Sequence, residues 1–183
     1  KINVGIAGGA GYTGGELLRI LVRHPQVNIA FVHSSSNAGK PVSAVHTDLV
    51  GDTDLVFTSS FSDAIDVLFL CVGHGEAKKL LAEQTISASV SIIDLSQDFR
   101  LIANATSGDR SFVYGLPELN REKITTAKNI ANQGCFATAI QLALLPLAKA
   151  GLLQDIYTTG ITGSTGAGQS LSATSHFSWR ANN

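Results

Sequence analysis

The segment Ala131-Asn132-Gln133-Gly134-Cys135-Phe136-Ala137-Thr138-Ala139-Ile140 places one cysteine behind a glycine and ahead of an apolar run that reads as a helix. The first N–H groups of a helix have no intrahelical partner, and the macrodipole is positive there. A thiol at that end is favoured as the thiolate, the nucleophilic form, so Cys135 is the candidate nucleophile. The other cysteine, Cys71, lies in the apolar run 66–72, where cysteine behaves as a small hydrophobe. A second constellation opens the chain, in Gly8-Gly9-Ala10-Gly11-Tyr12-Thr13-Gly14. Its glycines at 8, 11 and 14 follow a strand-like run and stand at the mouth of a helical one. That context allows a tight turn, close backbone approach and a helix N-terminus aimed at a pyrophosphate. Gly8, Gly11, Tyr12, Thr13 and Gly14 are the expected cofactor contacts. The plainer alternatives are a structural turn and a core cysteine. A dinucleotide site beside an activated thiol points instead to an oxidoreductase working through a thioester.

The end of the second strand chooses between cofactors. An NAD site usually carries an acid about 20 residues after the glycines, for the ribose 2′-hydroxyl. Here the stretch is His33-Ser34-Ser35-Ser36-Asn37-Ala38-Gly39-Lys40. It holds no acid to repel a 2′-phosphate, and its hydroxyls, amide and lysine can receive one. NADP(H) is therefore expected over NAD, with Ser34 and Ser36 among its contacts. His74 follows the central strand at the carboxyl edge, where open α/β sheets bind ligands, and is expected to line the cofactor. Which of the five histidines serves Cys135 is not legible from spacing. Cys71 and His74 lack a second pair at matching spacing, so no metal site is expected. Without a G-x-S-x-G elbow or a Walker lysine, a serine hydrolase and a P-loop ATPase are disfavoured.

These groups need a scaffold, and the periodicity supplies one. Apolar runs at 2–7, 27–33, 66–72, 90–95 and 128–131 read as buried strands, with a weaker edge strand at 55–58. Helical spacing marks 13–22, 76–84 and 136–149, the last containing Pro146. Residues 97–127 read as loop-rich, with Gly115-Leu116-Pro117 as a turn; 155–162 reads as a further strand and 163–168 as a glycine-rich loop. Strand–helix alternation predicts α/β: a Rossmann-type doubly wound parallel sheet. The expected division is a cofactor domain over 1–133 and the start of an α+β catalytic domain over 134–183.

Bulk properties agree with this reading. The 183 residues are 44% hydrophobic with 18 glycines and a net charge of −1, which gives no electrostatic case for nucleic acid. No apolar run approaches the ~20 residues of a membrane span. Two cysteines make no disulfide framework, so a reducing, cytoplasmic location is expected. There is no methionine even at position 1, and the chain stops after Trp179 without a closing element; it reads as a fragment.

Taken together, the motifs resemble the N-acetyl-gamma-glutamyl-phosphate reductases, relatives of aspartate-semialdehyde dehydrogenase. The resemblance runs from Ile6 to the last residue. It rests on 8–17, on Asp94-Leu95-Ser96-Gln97-Asp98-Phe99-Arg100, on Tyr114-Gly115-Leu116-Pro117-Glu118-Leu119, on the Cys135 segment, on 162–168 and on Ser175-His176-Phe177-Ser178-Trp179-Arg180. It implies an NADP-binding Rossmann domain and attack by Cys135 on an acyl phosphate. Phosphate leaves, a thioester forms, and hydride transfer yields a semialdehyde. It implies that Arg100 meets the substrate's carboxylate or phosphate, with Asn132 and Ser164 also on the substrate. It also places Gly166, in the glycine-rich loop, near a cofactor phosphate. A homo-oligomer, dimer or tetramer, and a small acyl-phosphate substrate with inorganic phosphate are the implied partners. Two departures stand out. Gln133 replaces the family's usual proline, and the family's catalytic histidine lies beyond the Trp179 region. The alternatives are an aspartate-semialdehyde dehydrogenase-like reductase and an inactive dinucleotide-binding module.

Overall fold

The computed structural model describes residues 1–167. The strands are β1 (Ile2–Ala7), β2 (Val27–His33), β3 (Phe57–Thr58), β4 (Val67–Leu70), β5 (Ser91–Asp94), β6 (Thr106–Ser107), β7 (Arg110–Tyr114) and β8 (Asn129–Ala131). The helices are α1 (Tyr12–Leu21), α2 (Glu76–Glu83), α3 (Pro117–Thr126) and α4 (Cys135–Lys149). The strands form one sheet in the order β3-β2-β1-β4-β5-β8-β7-β6. Every pairing is parallel except β6 with β7. The chain runs outward from β1 through β2 to β3, then returns to β4 on the other side of β1. The switch point of this doubly wound sheet therefore lies between β1 and β4, where such folds bind ligands.

Strand alternation divides the core between two faces. Val4 and Ile6 of β1 join Val32, Leu18 and Leu21 on the α1 face; Ala7 joins Phe31, Leu68, Leu70 and Ala77 on the α2 face. The central strands are thus covered on both sides, which is why they read as continuous apolar runs. Arg110 ties the far end of the sheet together. Its guanidinium donates to the carbonyls of Val90, Ile86 and Ser87 and to Asn129 Oδ1. Burial lowers its pKa from the usual guanidinium value.

Two expectations are corrected. The stretch 97–127 is not merely loop: it holds β6, β7 and α3. Helix α3, of sequence PELNREKITT, buries no residue and has no apolar stripe for periodicity to detect; its Pro117 stands at the helix start, which suits a fixed φ. The expected strand at 155–162 does not form, because no described strand pairs with it. Ile156, Tyr157 and Ile161 are exposed along it. An alternating sequence makes a strand only when a neighbour supplies the ladder. Pro146 sits in the last turn of α4; it lacks an N–H of its own, yet its carbonyl still accepts from Ala150 N–H. Residues 163–167 include a short 3-10 turn, Ser164–Ala167. The Ser175–Arg180 motif and Gly168 lie outside the described residues.

Candidate active site

Two chemical features stand along the carboxyl edge of the sheet, one after β1 and one after β8. The first is the turn between β1 and α1. Gly8 has φ +80, and a Cβ there would strike the Cys71 carbonyl, so both backbone and packing require glycine. A Cβ on Gly14 would stand 2.6 Å from Gly8 O, so close contact between turn and helix requires glycine there too. Gly11 differs. Its φ of −77° and ψ of 170° suit any residue, and the nearest atom to an added Cβ is 3.6 Å away. Neither conformation nor packing demands glycine at 11, which leaves room over the backbone for a ligand. Gly11 also caps α1 without any side-chain hydrogen bond, so the first-turn amides of Tyr12 and Thr13 face no capping group.

A second helix N-terminus stands nearby, and the protein fills it itself. The Asp98 carboxylate accepts from Gly75 N–H at 2.7 Å and from Lys78 N–H at 3.1 Å, which caps α2. An anion at the switch point is thereby directed to α1. The cleft beside α1 has a volume of about 890 Å³, and Gly8, Gly11, Ser34, Ser36, Asn37 and Phe61 are among its lining residues. On the β2 side, Asn37 Nδ2 contacts Ser36 Oγ at 3.2 Å and Ser34 Oγ at 3.5 Å, and Lys40 Nζ donates to Asn37 Oδ1. Ser34 is buried and Ser36 is exposed, so Ser36 offers the more accessible hydroxyl. His33 stacks on Phe61 at 4.6 Å, and burial pushes its imidazole below the ordinary value. It brings no positive charge to the cleft at neutral pH. These features fit a dinucleotide bearing a 2′-phosphate.

The second feature is the β8–α4 junction. Gly134 is the N-cap of α4, and exposed Cys135 is its first residue. Arg100 arrives from the loop after β5. Its Nε donates to Asn132 O at 2.8 Å and its Nη2 to Leu95 O at 2.9 Å. The remaining nitrogen, Nη1, lies 2.7 Å from where a Cβ on Gly134 would be. Glycine before the cysteine therefore makes room for a guanidinium beside the helix N-terminus. Asn132 N–H donates to Asp94 O, so this junction is also tied to β5. Asp94 is fully buried, its carboxylate accepts from Ser96 N–H and Oγ–H, and burial raises its pKa. Ser96 Oγ in turn accepts from Asp98 N–H. The motif 94–100 thus holds α2 with one residue and the thiol junction with another.

Cys71 lines the cofactor cleft but is buried, and burial together with the nearby Asp94 pushes its thiol up to about 12. It stays protonated, which leaves exposed Cys135 as the candidate nucleophile of the two. His74 is not among the residues lining the cleft; its Nδ1 accepts from Gln97 N–H at 3.2 Å. Gly166 is exposed in the 3-10 turn, its N–H donating to Gly163 O. Ser164 opens that turn. The segment leading there passes the thiol's neighbour, since Gly160 packs against the Phe136 ring. Gln133 Oε1 and Gln141 Oε1 are buried without a hydrogen-bond partner among the described residues. Sequence reasoning missed the caps made by Asp98 and the contact of Arg100 with Asn132 O, because these partners lie 20 to 32 residues away. Among the described residues no helix is long and apolar enough to cross a membrane.

Comparison with known proteins matches this geometry to a family. Residues 3–127 match the model of the semialdehyde dehydrogenase NAD binding domain, and residues 135–183 that of the semialdehyde dehydrogenase dimerisation domain. Curated proteins named N-acetyl-gamma-glutamyl-phosphate reductase are similar over the whole chain. Those of Christiangramia forsetii and Flavobacterium johnsoniae are each 57% identical, covering 100% of this chain and 56% of theirs. That of Azobacteroides pseudotrichonymphae is 58% identical and is covered to 57%. The chain thus spans little more than half the length of the curated relatives it matches. Among solved structures, aspartate semialdehyde dehydrogenase with NADP from Candida albicans superposes with a TM-score of 0.59 at 16% identity, covering 84% of this chain and 48% of that one. Aspartate semialdehyde dehydrogenase II complexed with ASA from Vibrio cholerae gives 0.60 at 23% identity, with 92% and 48% covered. At these identities the superpositions speak for the fold alone.

Proposed function

The chain belongs to the semialdehyde dehydrogenase family, and from that premise we propose that it forms part of an NADPH-dependent N-acyl-glutamyl-phosphate reductase of arginine biosynthesis. The observation that carries this reading is the junction of Arg100, Gly134 and Cys135. There an exposed thiol at a helix N-terminus has a guanidinium nitrogen lodged beside the preceding residue. The thiolate attacks the acyl carbon of the acyl phosphate, a mixed anhydride; the C–O bond to phosphate breaks, phosphate leaves with the bonding electron pair, and the acyl group becomes a thioester on Cys135. Arg100 and the first-turn amides of α4 hold the substrate's anionic groups while this occurs. Asn132 and Ser164 complete the substrate side. Gly8, Gly11, Tyr12, Thr13, Gly14, Ser34 and Ser36, with Gly166 and His74 near them, would hold NADP(H), which would supply the hydride. The thioester carbon accepts it, and the resulting hemithioacetal expels the Cys135 thiolate and releases the semialdehyde.

The substrate name comes from the relatives, which bear it at 57–58% identity. Residues 1–133 serve as the cofactor domain and 134–183 as the opening of the catalytic domain. A homo-oligomer fits the dimerisation-domain match over 135–183 and the exposed Phe136, Ile140, Leu142 and Leu147 of α4. A cytoplasmic location fits two free cysteines.

The test is phosphate-dependent reduction of NADP⁺ by N-acetyl-glutamate semialdehyde. Cys135→Ser is expected to bind NADPH normally and to lose this turnover, because serine has no comparably nucleophilic anion near neutral pH. Substantial turnover by the serine variant would refute the thioester route.

A further inference from the structure

The turn 8–15 carries more glycine than a pyrophosphate site requires, and one surplus glycine has a separate cause. A Cβ on Gly15 would stand 2.5 Å from His46 Cε1 and 2.7 Å from His46 Nδ1. His46 arrives from the segment between β2 and β3, just ahead of a 3-10 turn over Thr47–Leu49, and its side chain is buried. Its Nε2 lies 2.8 Å from the Gly9 carbonyl oxygen. A carbonyl can only accept, so Nε2 carries the hydrogen. The rest of the segment is clamped to α1 as well: Asp48 forms an ion pair with Arg19, one turn beyond Gly15.

Three backbone amides of the turn are tied back in the same sense. Gly8 N–H and Gly9 N–H both donate to His33 O, and Gly11 N–H donates to Gly8 O. The Gly9 carbonyl is the member that no backbone donor holds in this set, and His46 holds it. This matters for an anion. The Gly9–Ala10 peptide has glycine on its carbonyl side, which eases its rotation, and a carbonyl oxygen turned outward would place partial negative charge against a phosphate.

We propose that His46 is a positioning residue for pyrophosphate binding: through Nε2–H it keeps the Gly9 carbonyl turned inward, and Gly15 exists to admit its ring. This deepens the cofactor reading above and rests on it. His46 touches no reacting atom; it acts through the backbone of the phosphate turn.

Binding of NADPH and of adenosine 2′-monophosphate to the protein, followed by fluorescence titration, tests the assignment. His46→Ala should raise the Kd for NADPH about tenfold, the size expected for one net hydrogen bond. Adenosine 2′-monophosphate, which has no pyrophosphate, should bind as before. His46→Gln should recover most of the NADPH affinity, because its amide N–H reaches the place of the ring Nε2–H. Gly15→Ala, which displaces the ring, should mimic His46→Ala, and the double variant should be no worse than either alone. In turnover, KM for NADPH should rise with little change in kcat. A folded His46→Ala protein with unchanged NADPH affinity, equal losses in the Ala and Gln variants, or a parallel loss of adenosine 2′-monophosphate would overturn the proposal. If His46→Ala does not fold, Gly15→Ala and His46→Gln decide it by the same criteria. Wild-type protein that bound neither NADPH nor NADH would instead refute the cofactor reading itself.

Discussion

The Arg100 guanidinium occupies the space a side chain on Gly134 would need: Nη1 is 2.7 Å from the place of that Cβ, while Nε and Nη2 grip two backbone carbonyls. A planar fork held at two points presents its third nitrogen in a fixed direction, which lysine cannot do. The residue before the thiol and the cation beside it are therefore one device.

Gly134→Ala should disable that device without touching the cofactor. The methyl group would drive the guanidinium away from the α4 N-terminus. We expect kcat/KM for the acyl phosphate to fall by about one to two orders of magnitude, as loss of a charge-assisted hydrogen bond does. Arg100→Lys should cost as much, and NADPH affinity should stay unchanged in both. A Gly134→Ala enzyme with wild-type kcat/KM would show that Arg100 does not act at this junction.

The glycines of the phosphate turn should separate into two classes. Gly14→Ala forces contact at 2.6 Å with Gly8 O and should lower the melting temperature. Gly11→Ala meets nothing closer than 3.6 Å and should fold normally, yet bind NADPH more weakly, and Gly11→Val more weakly still. Thermal melts beside NADPH titrations check this, and full NADPH affinity in Gly11→Val would move the pyrophosphate elsewhere.

Cofactor choice should respond to Ser36, which is exposed and 3.2 Å from Asn37 Nδ2. Ser36→Asp places a carboxylate where a 2′-phosphate is expected and should weaken NADPH by roughly ten- to a hundredfold through like-charge repulsion, with NADH little affected. Equal affinity for NADPH before and after the change would contradict the assignment of that loop.

The two thiols should react at very different rates. Cys71 is buried with its pKa pushed up to about 12, whereas Cys135 is exposed. Iodoacetamide near neutral pH should modify Cys135 first, as peptide mass mapping can show. Earlier modification of Cys71 would assign the wrong residue to the chemistry.

His33 should make stability pH-dependent on the acid side. Burial holds its folded-state value below the usual imidazole range. As pH falls past about 6.5 the unfolded chain takes up the proton first. The unfolded state then binds more protons, so the contribution is present above that pH and is lost as pH falls through the folded value. His33→Gln should therefore lose less melting temperature than wild type between neutral pH and the mildly acidic range. An equal or larger loss would mean His33 is not held neutral.

Much of the scaffold was legible in order. The runs 2–7 and 27–33 coincide with β1 and β2, because both are mostly apolar and are bounded by glycine, proline and polar turns. The Cys135 helix was legible for a similar reason, since its first residue follows a glycine and its body is mostly apolar. The resemblance of the chain to acyl-phosphate reductases also lay in the order of its motifs, and the family match agrees with it.

What only the tertiary structure decided is what each glycine and each charge is for. Gly11, Gly14, Gly15 and Gly134 look alike in sequence. Folding shows Gly11 open, Gly14 pressed on the turn, Gly15 under a histidine ring and Gly134 beside a guanidinium. Asp98 could have been read as another ligand for substrate, yet it is spent on capping α2, 20 and 23 residues away. Helix α3 escaped because it buries nothing, and the strand expected at 155–162 failed because pairing belongs to two segments. Periodicity records which side of an element faces the core. It carries no record of which distant backbone group will meet a side chain, and in this protein those distant meetings build the site.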